Sequence, residues 1–248
     1  MTDYILLGAI GFLAQLIDGS LGMAFGIIST SAMLSMGMPP AQASAIVHTA
    51  EIFTTAGSAS SHIWHRNVDW RLVIRLGIAG VLGAVLGAWF LSNVDASAVR
   101  PYIAAYLMLV GGFILFKAWR GIPARDAPAP WVGPIGFVAG FLDASGGGGW
   151  GPVATSMLVG SGHAPRMTVG SVNATEFFVA SAAATTFFVE LGASPWRELL
   201  ALILGGLLAA PLGGFAVKHV SPRVLMVAVG CLVIVLSCWQ LARTFKVV

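Results

Sequence analysis

Four mostly apolar stretches, Ile74 to Leu91, Tyr102 to Phe116, Leu199 to Val217 and Val224 to Leu241, dominate what this chain can fold into. Each approaches or exceeds the roughly 20 residues that a helix needs to cross hydrocarbon. Charged residues make up only 9% of the 248 and hydrophobic ones 57%, against about a quarter charged in an ordinary soluble domain. Water is therefore not the main solvent of this fold. An all-α polytopic membrane protein is expected, with one membrane domain using the whole chain.

The 13 Lys and Arg against 10 Asp and Glu leave a formal charge of +3. They sit singly at segment ends and form no basic face, so nucleic acid is excluded as a partner. Cys231 and Cys238 lie seven apart in one apolar stretch, two helical turns along one face and too far for a disulfide; both read as core thiols. Asp3, with no Lys or Arg, precedes the first apolar run. Lacking a basic n-region, that run is expected to stay in the mature protein.

The chain also carries an internal duplication, a feature that reorganises any reading of fold. Gly11–Phe53 aligns without a gap onto Gly136–Phe178, with fourteen of 43 columns identical, including Asp18/Asp143 and Glu51/Glu176. Apolar bias alone would not match two acids. The register continues, with a slip of one, to Trp70-Arg71 against Trp196-Arg197, and a charged, proline-rich stretch reads as the linker. The expected units are a first repeat over 1–118, a linker over 119–130 and a second repeat over 131–248. Each repeat holds five helical segments, at about 4–18, 23–37, 41–63, 71–92 and 99–118, then 132–143, 149–160, 165–188, 196–217 and 222–243.

The first two segments of each repeat are short, about 15 residues or fewer, and meet at an acidic, Gly-rich tip: Asp18-Gly19-Ser20-Leu21-Gly22, or Asp143 to Gly149. Such a break must be enclosed by protein or line a wet cavity, since lipid cannot satisfy its amides. As a re-entrant hairpin it leaves three full spans and inverted copies; as a broken span it leaves four and parallel copies. His65, Arg66, Arg71 and Arg75, with Lys117, Arg120 and Arg125, mark cytoplasmic regions by the positive-inside rule. Lys218 and Arg223 then favour inversion, whereas Arg243 and Lys246 favour the parallel case. Short paired segments with a Gly-rich tip tilt the choice towards the inverted repeat.

In the third segment Ser44, His48, Glu51, Thr55, Ser58 and His62 recur every three or four residues. They share one helical face, which should meet protein or water. Ionisable groups within a span are costly and default to functional candidates. The matching helix has Arg166, Asn173 and Glu176, so the glutamate is shared while the histidine, a group that titrates near physiological pH, belongs to one copy. Glu51 and Glu176 are the candidate proton-coupling residues. Asp18 and Asp143 either cap the following helices or bind substrate, and Ser20 and Ser145 divide the same way. Helix N-termini beginning near Gly22 or Gly147 would offer amides to an anion, and Gly146, Gly147, Gly148 and Gly149 would serve close approach to an oxyanion or tight helix contact. Gly80/Ala84/Ala88 and Gly83/Gly87, repeated as Gly205/Ala209/Gly213 and Gly206/Ala210/Gly214, are helix-contact stripes, leaving open whether the partner is internal or a second copy in a homodimer. Trp64, Trp70, Trp131 and Trp196 lie at segment ends, as an interfacial belt requires.

GFLAQLIDGSLGMAFG with TSAML in the first half, and GFVAGFLDASGGGGWGP with ATSML in the second, resemble the TauE/SafE-type sulfite exporter family over essentially the whole chain. The resemblance implies a permease of a bacterial inner membrane that exports, or in some members takes up, sulfite, organosulfonates or related small anions. It places the substrate region at the two breaks, around Gly19 to Gly22 and Ser145 to Gly149; with the residues singled out above, the candidate substrate-binding set is Asp18, Gly19, Ser20, Gly22, His48, Asp143, Ser145, Gly146, Gly147, Gly148, Gly149 and Asn173. The first copy has Leu21, Met23 and Ala24 where the second has glycine, so two unequal halves of a site are expected.

The expected function is thus an anion transporter coupled to protons or to the membrane potential, embedded in lipid, with no cofactor and no resident metal. A divalent-cation carrier using Asp18, Asp143, His48, Glu51 and Glu176 is one alternative, and a passive anion channel another. An intramembrane hydrolase built on Ser145 would need a paired base, but the second copy has Asn173 in place of His48. No enzyme is expected.

Overall fold

The computed structural model describes residues 2–121, 131–161, 163–193, 195–219 and 221–245, and these are helical almost throughout. The elements are α1 (Thr2–Leu21), α2 (Phe25–Ser35), α3 (Pro40–Trp64), α4 (Trp70–Asn93), α5 (Ala96–Arg120), α6 (Val132–Gly146), a π-helical turn (Trp150–Thr155) running into α7 (Ser156–Gly160), then α8 (Pro165–Leu191), α9 (Trp196–His219) and α10 (Pro222–Thr244). Local chemistry sets several ends. Asp69 and Asp95 accept the first amides of α4 and α5, and proline begins α3, α8 and α10, where its missing N–H costs nothing. Four helices, α4, α5, α8 from Met167 and α10 from Arg223, are long and apolar enough to cross a membrane among the described residues. This is a multi-pass membrane protein.

The expected segments correspond to these helices, with one correction. The α1 helix is 20 residues long and not about 15, because it continues through Asp18, Gly19 and Ser20; α6 likewise continues through Asp143, Ala144 and Ser145 to Gly146. The chain breaks later, at 22–24 and 147–149. Gly22 (φ 65°) and Gly147 (φ 74°, ψ 36°) make these turns in the left-handed region that suits glycine. The α2 helix then folds back along α1, since Leu6 and Met36 at one end and Ile17 and Ile28 at the other line one apolar groove.

Helices pack crosswise between the two halves. α1 lies along α9 and α4 along α6. Gly136 abuts Leu76, Gly140 abuts Gly80 and Gly87 abuts Phe141, a progression that makes α4 and α6 parallel. The small-residue stripes supply these contacts, so their partner is internal. A Cβ at Gly83 would overlap the carbonyl of Phe137, and one at Gly205 the carbonyl of Gly8. By contrast, α3 and α8 run antiparallel: His48 meets Phe187 (ring centroids 6.0 Å apart), while the Asp69 amide just past α3 donates to Ser171 near the start of α8. The α5–α10 pair is antiparallel too, Gly111 facing Gly230 and Ile234 while Arg100 and Arg243 share a groove at one end.

The two cysteines expected in the core are exposed, as are Ile78, Leu82, Leu109 and Val235. In lipid, apolar residues line the outside as readily as the inside, so an apolar thiol on a helix carries no inward bias. The expected linker lies mostly outside the described residues; its first two positions, Trp119 and Arg120, belong to α5.

Gly83→Ala should lower stability by about 1–3 kcal/mol, the usual cost of overpacking, because the added methyl meets backbone that cannot swing aside. Gly112, with nothing within 4 Å of its would-be Cβ, is the control, and its Ala variant should melt at or above the wild-type temperature. Thermal unfolding of the detergent-solubilised proteins reads both.

Candidate functional site

Each broken helix presents amides that helical bonding cannot satisfy, and in each half an aspartate in the last turn of the preceding helix takes them. Asp18 Oδ1 accepts from the amides of Ala24 (2.8 Å) and Phe25 (3.3 Å). Asp143 Oδ1 accepts from those of Gly149 (2.8 Å) and Trp150 (3.1 Å). The carboxylates reach over six and seven residues, so they fasten the second helix of each hairpin back onto the first.

The two breaks lie against each other. A Cβ at Gly151 would stand 2.5 Å from the Cα of Met23, and one at Gly148 would stand 2.6 Å from the amide nitrogen of Ile27. Between them Asp18, Glu51, Asp143 and Glu176, all buried, line one cavity together with Gly26, Gly148 and Gly149. It holds about 10 Å³, the room of roughly one water molecule. Among the described residues Glu51 Oε2 and Glu176 Oε2 have no hydrogen-bond partner.

The wall is asymmetric. His48 Nε2 lies 3.2 Å from Asp143 Oδ2, and its Nδ1 lies 2.8 Å from the carbonyl of Ser44. A carbonyl only accepts, and the Ser44 hydroxyl beside it donates to the Ala144 carbonyl at 2.9 Å, so Nδ1 carries a hydrogen. Nε2 and the carboxylate oxygen would then both be acceptors unless a proton or a cation lies between them. In the other half Asn173 Nδ2 donates to the Val169 carbonyl at 3.0 Å, the counterpart of the Ser44 contact.

The other expected site residues are placed as follows. Gly19 is exposed, and the Ser20 and Arg166 side chains lie outside the described residues. Ser145 turns back to the carbonyl of Phe141 at 2.5 Å. Gly22 abuts Val169 and Asn173, Gly147 abuts Thr30, and Gly146 and Gly149 leave room for Tyr106. Tyr106, on α5, donates to the Gly148 carbonyl at 3.2 Å. Neither Tyr106 nor Lys117 was among the expected site residues. Lys117, near the end of the expected segment 99–118, lies inside α5 and donates to Ser156 at 3.1 Å, with Met23 sulfur 3.9 Å away. Its signal was a lone cation within an apolar run.

Residues 7–239 match the family described as "Sulfite exporter TauE/SafE". The chain belongs to the TauE/SafE sulfite exporter family. It is 43% identical over 246 residues to a Bacillus subtilis (strain 168) protein named "Probable membrane transporter protein YtnM", covering 96% of this chain and 82% of that one. A Haemophilus influenzae protein named "Probable membrane transporter protein" is 27% identical over 147 residues, 55% of this chain and 56% of its own. No solved structure matches. As a member of this family the chain is a membrane transporter, and the paired, acid-capped breaks are its candidate site. His48, Glu51 and Asp143 also offer ligand atoms within 4.8 Å of one another, a donor set that suits a small cation.

Removing the Asp143 carboxyl should orphan two buried amides. Asp143→Ala is expected to cost about 1–2 kcal/mol, the upper range for a lost helix cap, while Asp143→Asn, whose side-chain oxygen can still accept, should cost less than half of that. Equal losses in thermal unfolding would show that the charge, and not the cap, holds the break.

Proposed function

We propose that this protein exports sulfite or a related small organosulfur anion, and that protons on the central carboxyl cluster couple the movement. The observation that carries this reading is the convergence of Asp18, Glu51, Asp143 and Glu176 on one small cavity where the two helix breaks meet. Four carboxyl groups and one imidazole in so small a volume need compensating positive charge, and the His48–Asp143 gap holds a place for it. A protonated cluster admits an oxyanion; a deprotonated one repels it. The remaining first-turn amides of α2, those of Gly26 and Ile27, would meet the anion. A cavity of about 10 Å³ is too small for a polyatomic anion, so transport requires the hairpins to part.

The proposed architecture is an inverted repeat of residues 1–118 and 131–248 joined by a linker over 119–130. Its support is the antiparallel course of α3 against α8 and of α5 against α10, each pair joining equivalent helices of the two halves. Arg66, Arg71, Arg75, Lys117, Arg120 and Arg223 then fall towards one end, and Arg100, Arg197 and Arg243 towards the other. The richer end is assigned to the cytoplasm of a bacterial inner membrane. In a background with Cys231 and Cys238 replaced by serine, Ser97→Cys should react with a membrane-impermeant maleimide in intact cells, whereas Asn67→Cys should react only after lysis. The reverse pattern would invert the assignment.

Proteoliposomes loaded with sulfite supply the functional test. Flux should follow an imposed pH gradient, and Glu51→Gln and Glu176→Gln should each cut it at least tenfold or remove its pH dependence. Full flux with unchanged pH dependence in both variants would take the glutamates out of coupling, and wild-type flux indifferent to the gradient would make the protein a passive channel. The cluster of His48, Glu51 and Asp143 favours one second reading, a divalent-cation carrier. It predicts calorimetric binding of zinc that is lost in His48→Ala, with no sulfite flux.

A further inference from the structure

Away from the central cavity, a groove of about 630 Å³ opens at the end of α5 and α10 that is assigned to the outside, lined among others by Leu34, Asp95, Arg100, Gln240 and Arg243. Two features mark it as built for a ligand. Gln240 is only 3% exposed, yet neither its amide nitrogen nor its oxygen has a hydrogen-bond partner among the described residues, and an unmet buried amide is costly. One turn deeper on the same helix, the Ser237 hydroxyl is buried and unpartnered as well.

The second feature is charge. Arg100 Nη2 donates to the carbonyls of Gly37 and Met38 (both 3.2 Å), and Arg243 Nη1 to that of Ser35 (3.1 Å). These bonds hold the guanidiniums at the C-terminal end of α2. Each guanidinium has five N–H donors in a planar fork that matches an oxyanion, and the others have no partner among the described residues. Asp95, on the rim, is held below the usual carboxylate range by the amide and hydroxyl of Ser97, so it stays ionised. Two guanidiniums against one carboxylate and the partial negative end of α2 leave the groove weakly positive, the sign that attracts a small oxyanion.

We propose that this groove is a second oxyanion site, in which Arg100, Arg243 and Gln240 hold a sulfite or sulfonate group in transit between the central cavity and the outer solution. The site rests on the anion-transport reading given above. From the groove, Ser237 on α10 and Ser31 and Thr30 on α2 carry further unpartnered hydroxyls towards the centre, where Thr30 abuts Gly147. At the opposite end Lys117, near Met23 and Ser156, takes the corresponding place beside α7. The same chemistry could also be met by a lipid phosphate, because an apolar groove of about 350 Å³ bounded by Ser35, Met36, Leu232 and Leu236 runs alongside.

The full chain in detergent is titrated calorimetrically with sodium sulfite, beside Gln240→Leu, Arg100→Gln/Arg243→Gln and Glu51→Gln. Gln240→Leu replaces an unmet amide by an apolar group of similar size, so it should melt at or above the wild-type temperature. Its binding at one class of site should weaken about tenfold, the loss of one hydrogen bond to a charged group. The double Arg variant should lose that class altogether, while Glu51→Gln keeps it. Wild-type titration curves in a well-folded Gln240→Leu protein would overturn the groove site and leave the central reading standing. No sulfite binding by the wild type would bring down the transport reading itself. Native mass spectrometry from phosphatidylglycerol nanodiscs separates the lipid source: loss of bound lipid in the Arg variant, with unchanged sulfite titration, would assign the groove to a headgroup and overturn the transit role.

Discussion

A helix that stops inside a membrane domain must have its free amides met by protein, because hydrocarbon offers no partner. In this chain that constraint is met twice by the same device, an aspartate one turn before the break reaching over six or seven residues to the next helix. Asp18 and Asp143 are thereby committed to structure through one carboxylate oxygen each, and the second oxygen is what remains for chemistry. At Asp143 that second oxygen faces His48. The capping bonds and the histidine contact are thus divided between its two oxygens.

From those two breaks follow the positions of the other polar groups. Holding the hairpins together brings Glu51 and Glu176 from α3 and α8 to a shared cavity, and glycine at 148 and 151 lets the breaks touch. The long helices hold the hairpins by exchange, α1 of the first half lying on α9 of the second and α6 on α4. Because the contact surface is backbone on backbone at Gly83, Gly136, Gly140 and Gly205, the exchange depends on the absence of side chains and tolerates little substitution. Van der Waals contact of this kind is what remains to bind helices where no hydrophobic force acts between them.

Much of this was legible in the amino-acid order. The duplication matched Asp18 to Asp143 and Glu51 to Glu176, and both pairs meet at one cavity. The polar stripe on α3 faces protein, with Ser44, His48, Glu51 and Thr55 buried. Less legible was which side of an apolar helix faces lipid, and Cys231 and Cys238 were misplaced for that reason. Tyr106 and Lys117 are single residues without a motif; only the fold brings them against Gly148 and Ser156, 42 and 39 positions away.

The sequence by itself determined the membrane class, the family, the internal duplication and the paired acids that line the central cavity, because each of these is written in composition, periodicity or repetition along the chain. Tertiary structure decided which groups meet: His48 of one half with Asp143 of the other, α1 with α9, Arg100 with Arg243 across a groove. Pairings of this kind join distant positions, up to 208 residues apart where Arg243 meets the Ser35 carbonyl. They arise from the crossing of two hairpins, a relation in space that no local pattern of residues encodes.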